Sequence, residues 1–409
     1  VLLSSIYPLV LFLQIWLTFA PVADKTAAHF HISMDMVNWL STVYLLLSIP
    51  FGLVATWVLD SIGLKCAVIL CCLCALAQPL VIFSPTKLAA LWFPDHQRAT
   101  ANTIASMSNP LGMLIANLLS PALVHEEREV PIMLLAYAVP AITACVLATV
   151  GVREKVPPTP PSASATHSVS QPFVTGLKML MRNKAYIILA VSFGAGIAMF
   201  TCFSALLEQI LCVKGYSNFF TGLIGALFIV FGLLGAFLLG LYIDKTRKFI
   251  EATKIGLAFA VLASIAFAVT SQFRNQTILL AIISSLFGFF GFATYPVAME
   301  LAVECSYPVG EGTSTGLIFV SGQIQGVIFM LLFQALTVKI ADAPYSTCTI
   351  DQGGALDWTV STLVMAGLVS MIICFYIIFF TTSYKRLHAE ASIPPSVNKT
   401  EDEAVIPHA

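Results

Sequence analysis

Three polar or aromatic side chains lie deep inside long apolar stretches of this chain. Gln323 lies about ten residues into its stretch, roughly 15 Å at about 1.5 Å per residue, which is half of a ~30 Å hydrocarbon core. Asn109 has nearly the same depth in another stretch, and Trp16 lies about 12 Å below the end of the first one. Amide oxygens and an indole face at one level can hold a quaternary ammonium ion. These residues therefore favour binding of a small organic cation.

Each of these residues also has a structural interpretation. A tryptophan in an apolar stretch often packs or anchors at the membrane surface, and Gln323 can make an interhelical hydrogen bond. Asn109 precedes Pro110, so the pair can be a helix kink in which the amide bonds a freed carbonyl. Gly322 and Gly326 form a small-xxx-small pair, which is typical of close helix packing.

Asn109 and Gln323 occupy the same position in two copies of one segment. An aromatic-proline pair opens each copy, at 93–94 and at 307–308. The two segments align without gaps when Asn109 is placed on Gln323. Such a repeat is typical of membrane transporters built from two related bundles.

Membrane-spanning helices are the elements that must position these residues. The chain is 58 % hydrophobic and 10 % charged, whereas soluble proteins average about 25 % charged residues. This composition predicts an all-α polytopic membrane protein. We predict eleven spans, at 3–23, 36–59, 66–93, 100–124, 131–151, 184–207, 217–243, 252–270, 277–302, 313–340 and 358–381.

The distribution of Lys and Arg predicts which loops are cytoplasmic. Basic clusters lie at 153–155, 178–184, 245–248 and 385–386, and the positive-inside rule places them in the cytoplasm. In the second half, successive loops fall on alternating sides of the membrane, with the basic clusters on the cytoplasmic side. In the first half, loops at 60–65 and 94–98 are both expected on the cytoplasmic side, although a single span joins them.

The first copy of the repeat is one span shorter than the second. The interval from Asp244 to Pro308 is about 30 residues longer than that from Asp60 to Pro94, which is the size of a ~20-residue span plus a loop. We favour the loss of one span in the first half, by a splice event or a gene-model omission. A re-entrant segment or a local inversion of the topology are the alternatives.

The sequence divides into two bundles, a linker and a tail. Prolines followed by Ser, Ala and Thr residues separate the halves, and the polar end is interrupted by prolines. The predicted units are an N-terminal bundle at 1–151 that is one span short, a cytoplasmic linker at 152–183, a C-terminal bundle at 184–383, and a disordered cytoplasmic tail at 384–409.

A polar loop closes the second predicted span and recurs in the second half. The stretch 52–65 carries Gly, Asp, Gly and Lys at the spacing of the signature loop of the major facilitator superfamily, and residues 244–248 resemble it again. An acidic group at a helix end can hold a neighbouring helix by charge–dipole contact and release it when two halves rock. The resemblance implies a major facilitator fold of two helical bundles. The gating residues that it implies are Asp60, Gly63, Lys65, Asp244 and Arg247.

A longer stretch carries a more specific resemblance. Residues 296–312 (PVAMELAVECSYPVGEG), together with 84–93, resemble the feline leukaemia virus subgroup C receptor-related family of transporters. Members of that family are linked to choline, ethanolamine and haem. Residues 18–24, 38–41 and 108–112 are most similar to its third branch, which is named only as a major facilitator domain-containing protein.

This resemblance implies a set of substrate-binding residues. In members that carry choline, the cage has a Trp in the first span, a Tyr in the seventh, and a Gln in the fifth and eleventh. Here Trp16 and Gln323 fit that pattern. The Tyr position aligns with Thr201, and the fifth-span Gln aligns with Pro110 beside Asn109. The implied binding set is therefore Trp16, Asn109, Thr201 and Gln323, and half of it departs from the choline cage.

Acidic and histidine residues lie away from the predicted midplane. Glu300, Glu304 and Glu311 lie near the inner side, where we expect them to hold the cytoplasmic gate. Proton-coupled carriers usually need a titratable group at the midplane, so a facilitator driven by the substrate gradient is favoured. Haem carriage asks for axial ligands such as His or Met. Because His29 and His31 lie on an outer loop, haem is the weaker alternative.

The sequence argues against an enzyme. It shows no nucleophile–base set, phosphate-binding loop or zinc-type cysteine spacing. We therefore predict no cofactor, no metal and no nucleic-acid partner. The expected partners are a small-molecule substrate and the lipid bilayer, with the chain a monomer in the plasma membrane or an endomembrane. Cys212 and Cys348, both near the outer side, are candidates for a disulfide.

Two functional classes follow. The first is a facilitative transporter of a small organic solute, such as an amine or a choline-like cation, by rocker-switch alternating access. The second is a non-transporting receptor-like or regulatory membrane protein, or an inactive isoform that lacks a span. The missing span favours the second class for this form of the chain.

Overall fold

The described chain is almost entirely helical. The structure is a computed structural model that describes residues 23–30, 34–61, 89, 93, 97–124, 126–151, 172–340 and 355–391. The first half contains α1 (Ala23–Phe30), α2 (Met34–Ser61), α3 (Arg98–Leu123) and α4 (Val130–Gly151). The second half contains α5 (Phe173–Arg182), α6 (Lys184–Cys212), α7 (Asn218–Thr246), α8 (Phe249–Thr270), α9 (Thr277–Ser306), α10 (Glu311–Ala335), α11 (Thr359–Phe379) and α12 (Lys385–Ala391).

A small hairpin is an exception to the all-α prediction. Strands β1 (Val338–Ile340) and β2 (Ala355–Asp357) pair antiparallel, with Val338 opposite Asp357. The hairpin lies between α10 and α11 and leaves the helical architecture unchanged.

The long helices follow the predicted spans. Within the described part of the chain, six helices are long and apolar enough to cross a membrane, and they are α6, α7, α8, α9, α10 and α11. Helices α2, α3 and α4 coincide with the spans predicted at 36–59, 100–124 and 131–151. The spans predicted at 3–23 and 66–93 fall almost wholly outside the described residues, so the total of eleven stays a prediction.

Glycines allow the helices of the second half to approach closely. A Cβ at Gly288 of α9 would overlap the carbonyl oxygen of Phe228 on α7. A Cβ at Gly322 of α10 would lie 2.9 Å from Cβ of Ile197 on α6. This contact confirms the packing role predicted for Gly322. Backbones that meet at such positions exclude any larger side chain.

The two halves meet through two equivalent helix pairs. Helix α3 packs along α7, and α2 packs along α10. A Cβ at Gly240 of α7 would lie 2.9 Å from Oγ1 of Thr103 on α3, which shows how close the first pair is. A cavity lies between these pairs.

Two short helices occupy segments that the sequence assigns to linker and tail. Helix α5 lies in the second part of the predicted linker, and its buried Gly176 rests against Val309. Helix α12 begins the segment predicted as a disordered tail, and the side chain of Arg386 there is buried. The prediction of disorder is therefore wrong for residues 385–391, because contacts with α9 and α10 order them. Residues 152–171 and 392–409 lie outside the described part.

Candidate functional site

A cavity of about 150 Å³ lies between the two halves. Helices α2 and α3 line it from the first half, and all six long helices of the second half line it from the other side. Asn109, Thr201 and Gln323, predicted from the sequence as binding residues, all line this one cavity. The fourth predicted residue, Trp16, lies outside the described residues.

Asn109 and Gln323 present unsatisfied acceptors to this region. Asn109 Oδ1 and Gln323 Oε1 are buried, and neither accepts a hydrogen bond from any described residue. A buried acceptor without a partner costs about 1–3 kcal/mol, and such an atom in a native protein calls for an explanation. Because both residues line the cavity, a ligand or water there would supply the missing partner.

The hydroxyl groups of the lining differ in their bonding. Thr201 Oγ1 donates to the carbonyl oxygen of Ile197 at 2.9 Å, and Ser264 Oγ donates to that of Val261 at 2.9 Å. Both hydrogens are therefore used within their own helices. The hydroxyl of Tyr295 makes no hydrogen bond to the described part of the chain.

Aromatic rings from the second half form one wall of the cavity, which we call the aromatic wall. Phe200 lies edge-on to Phe292 with ring centroids 4.8 Å apart and stacks on Phe228 at 5.7 Å. Tyr295 lies edge-on to Phe319 at 5.7 Å. Such rings present negative faces to a cation. This wall is not among the features predicted from the sequence, although the spacing of Phe292 and Tyr295 places them on one face of α9.

The described lining contains no Asp, Glu, Lys, Arg or His side chain. A charged ligand would therefore meet amide dipoles and ring faces there instead of a counter-ion. This environment suits a weakly hydrated organic cation better than a carboxylate or a phosphate.

Asp244 joins the halves at the end of the bundle where α7 ends and α3 begins. We call this the basic end, because residues 245–248 carry two lysines and an arginine. The Asp244 carboxylate accepts the backbone N–H groups of Ala99 at 3.2 Å and Thr100 at 3.0 Å, and also the Thr100 hydroxyl. A carboxylate on the first turn of α3 is stabilised by its N–H groups and dipole.

The remaining residues of the signature loops are described only in part. Arg247 has φ 57°, and its N–H donates to the carbonyl oxygen of Ile243 at 2.8 Å, so it ends α7 in the left-handed conformation. Asp60 lies in the last turn of α2. The Asp60 side chain, Gly63 and Lys65 lie outside the described part.

The predicted gating glutamates also lie at the basic end. Glu304 Oε2 accepts the N–H of Leu387 at 3.1 Å, and Glu311 Oε1 lies 3.7 Å from Nη2 of Arg386. Glu300 is buried near them on α9. Glu304 and Glu311 thus bind helix α12, a contact that is not predicted from the sequence.

A buried amide pair joins the halves at the opposite end. Asn38 Nδ2 donates to Gln209 Oε1 at 3.1 Å, and Gln209 Nε2 donates to Asn38 Oδ1 at 2.6 Å. Both side chains are buried. This pair is not predicted from the sequence, because the two residues belong to different halves and no repeat relates them.

Cys212, at the end of α6, is disulfide-bonded. The described cysteines Cys202, Cys305 and Cys374 are free, so its partner is a cysteine outside the described side chains. Cys348, the predicted partner, is outside them as well, and the pairing stays a prediction.

Comparisons with known proteins agree with this geometry. The Major Facilitator Superfamily pattern matches residues 73–330. Solute carrier family 49 member A3 of Xenopus tropicalis is 54 % identical over 414 residues, which cover 93 % of this chain and 86 % of the frog protein. The chain belongs to the major facilitator superfamily. It is an integral, multi-pass membrane protein of a transporter family and not an enzyme.

Other major facilitator proteins share the fold or part of the sequence. The proton:xylose symporter XylE superposes with a TM-score of 0.69 at 14 % identity, covering 95 % of this chain and 98 % of XylE. The choline/ethanolamine transporter FLVCR1 of Felis catus is 28 % identical over 377 residues, covering 82 % of this chain and 67 % of the cat protein. The first comparison shows the fold, and the second shows sequence similarity to a protein named as a choline/ethanolamine transporter.

Proposed function

We propose that this chain carries a small organic solute, an amine or a choline-like cation, down its gradient. The pair of buried amide oxygens at Asn109 and Gln323, without partners among the described residues, carries the proposal. Amide oxygens accept hydrogen bonds from an ammonium or hydroxyl group and orient their dipoles toward a cation. The aromatic wall adds cation–π attraction. The name of the cat relative, a choline/ethanolamine transporter, supports the same class of substrate.

The size of the cavity favours a small solute over haem. Its volume of about 150 Å³ is that of a cavity that takes benzene, whereas drug-sized ligands need roughly 300–1,000 Å³. Haem is larger than such ligands. The described lining contains no histidine, so Met113 and Met199 are the residues there of a type that ligates haem, and it is the size of the cavity that disfavours haem. An ion of choline's size matches the space.

Contacts at both ends of the cavity support alternating access. Asp244 of α7 holds the basic end through its hydrogen bonds with α3, and the Asn38–Gln209 pair holds the opposite end. Opening at one end requires breaking the contacts between the halves at that end while those at the other end persist, so the halves can rock about the cavity. The positive-inside rule places the basic end in the cytoplasm. By the repeat, Asp60 is the counterpart of Asp244.

A second function, without transport, has support from the alignment. The alignment with the frog relative spans 414 positions, which is more than the 409 residues of this chain, although it matches only 93 % of this chain. The frog relative therefore carries residues without a counterpart here, as the predicted missing span requires. A form that lacks a span can bind the solute without moving it.

Uptake by purified protein in liposomes separates the two functions. This chain is compared with a form in which the interval between Asp60 and Pro94 is filled from the frog relative. We expect saturable uptake of labelled choline or ethanolamine by the filled form, independent of a proton gradient. Uptake by neither form would contradict transport. Equal uptake by both forms would contradict the non-transporting alternative.

A further inference from the structure

Tyr295 holds an unused hydroxyl at the cavity. The other described tyrosines that are buried or half-buried all have hydrogen-bond partners, and they are Tyr137, Tyr186, Tyr216, Tyr376 and Tyr384. Tyr295 lines the cavity and has no such partner in the described part of the chain. A phenol in apolar surroundings usually finds a partner, so its isolation points to a ligand.

Packing fixes the ring of Tyr295 without help from the hydroxyl. Its centroid lies 5.7 Å from that of Phe319, edge-on, and 6.3 Å from that of Phe292. The ring is therefore positioned by aromatic contacts on α9 and α10. The hydroxyl is left to interact with whatever occupies the cavity.

The other lining hydroxyls cannot take this role as donors. Thr201 and Ser264 already donate to carbonyl oxygens of their own helices. Among the described lining residues, Tyr295 thus supplies the hydroxyl whose hydrogen is still available. A phenol both donates and accepts, and so it matches an alcohol or a neutral amine.

We propose that Tyr295 determines specificity by hydrogen bonding through its hydroxyl to the polar, uncharged end of the substrate, while the phenylalanine rings of the aromatic wall and the two amides hold its cationic end. This inference rests on the proposed function. It predicts that the site distinguishes an ammonium ion with a terminal hydroxyl from one of equal size without it. A site that pairs a substrate hydroxyl rejects the analogue that lacks it, because its own polar group is left unpaired.

The test compares choline with propyltrimethylammonium, in which a methyl group replaces the hydroxyl. Binding to the purified full chain is measured by titration. We expect the wild type to prefer choline about tenfold, since one hydrogen bond has that effect on affinity. Tyr295→Phe should weaken choline binding by this factor and leave the analogue unaffected. Tyr242→Phe, the same change at an exposed tyrosine of α7, should keep the preference.

Each outcome distinguishes the two proposals. Equal binding of both ions by the wild type, or a preference that survives in Tyr295→Phe, would overturn the role of Tyr295 alone. Binding of neither ion to the wild type would overturn the proposed function and this inference with it. Since the hydroxyl has no partner among the described residues, Tyr295→Phe should melt at the wild-type temperature, which checks that the variant is folded.

Discussion

Gln323 and Gln209 are buried or half-buried glutamines with opposite hydrogen-bonding states. The Gln323 oxygen has no partner among the described residues, whereas Gln209 exchanges two hydrogen bonds with Asn38. A structural glutamine and a ligand-binding glutamine respond differently to the same substitution. The pair therefore gives an internal test of what the cavity amide does.

Gln323→Leu should leave the melting temperature unchanged or raise it, because no hydrogen bond is lost and an unsatisfied acceptor is removed. Gln209→Leu should lower the free energy of unfolding by about 1–3 kcal/mol, because the Asn38 amide is left buried and unpaired. Thermal unfolding of both purified variants measures the difference. If Gln323→Leu were as destabilising as Gln209→Leu, Gln323 would be a structural residue.

For single residues, the sequence predicts site residues that occupy equivalent positions in the repeat or in the family pattern. It does not predict residues that come together only through packing in the folded chain. Asn109 and Gln323 are predicted from their equal depth in two aligned copies, and both line the cavity. Thr201 is placed there through the family resemblance. Tyr295 gives no such signal, because its importance depends on its hydroxyl having no hydrogen-bond partner among the described residues. Hydrogen-bonding state is a property of the structure.

At the scale of elements, Asp244 connects the end of α7 to the first turn of α3. Asp244→Asn keeps the size of the side chain and removes its charge. A charge at a helix terminus contributes about 0.3–2 kcal/mol, so we expect the first turn of α3 to exchange its amide hydrogens up to about 30-fold faster. Hydrogen–deuterium exchange of a peptide covering 98–103 measures this.

Glu251→Gln is the matched control for Asp244→Asn. Glu251 is an exposed acid in the first turn of α8, at the same end of the bundle. Its neutralisation should leave exchange in α3 unchanged. Equal exchange in the wild type and Asp244→Asn would show that this carboxylate does not hold the two halves together.

Gly288 fixes the crossing of α7 and α9. Gly288→Ala brings a Cβ against the carbonyl oxygen of Phe228, and relief by helix displacement costs about 1–3 kcal/mol. Gly367→Ala, in α11 with no atom within 4 Å of the new Cβ, should be neutral or stabilising by up to about 1 kcal/mol. Gly288→Ala should therefore melt at a lower temperature than Gly367→Ala. The reverse order would contradict the close crossing of α7 and α9 at Gly288.

The sequence predicts the long helices well because their apolar length is a local property. It does not predict α5 and α12, which are short and take their stability from tertiary contacts. Gly176 of α5 rests against Val309, and the first turn of α12 is held by Glu304 and Glu311. Neither contact can be derived from a local pattern, because the partners lie far apart in the chain.

At the scale of the whole molecule, the repeat predicts two related bundles with a site between them, and the superfamily membership agrees. The conformational state is beyond such reasoning. In the described part, the halves touch at the basic end through Asp244 and at the opposite end through Asn38 and Gln209. The conformational states of a transporter differ in free energy by only a few kcal/mol. Because all of these states share one sequence pattern, that pattern does not show which state is adopted.

Titration of choline into the purified chain tests the central claim, that the amide oxygens of the cavity bind a small organic cation. The variant is Gln323→Leu, in the middle of α10, and the control is Gln334→Leu, the same change in the last turn of this helix and outside the cavity lining. We predict saturable binding by the wild type and by Gln334→Leu. Gln323→Leu should bind about 10- to 100-fold more weakly, since a hydrogen bond or dipole contact to a charged group contributes about 1.5–3 kcal/mol. Wild-type affinity in Gln323→Leu would contradict the account.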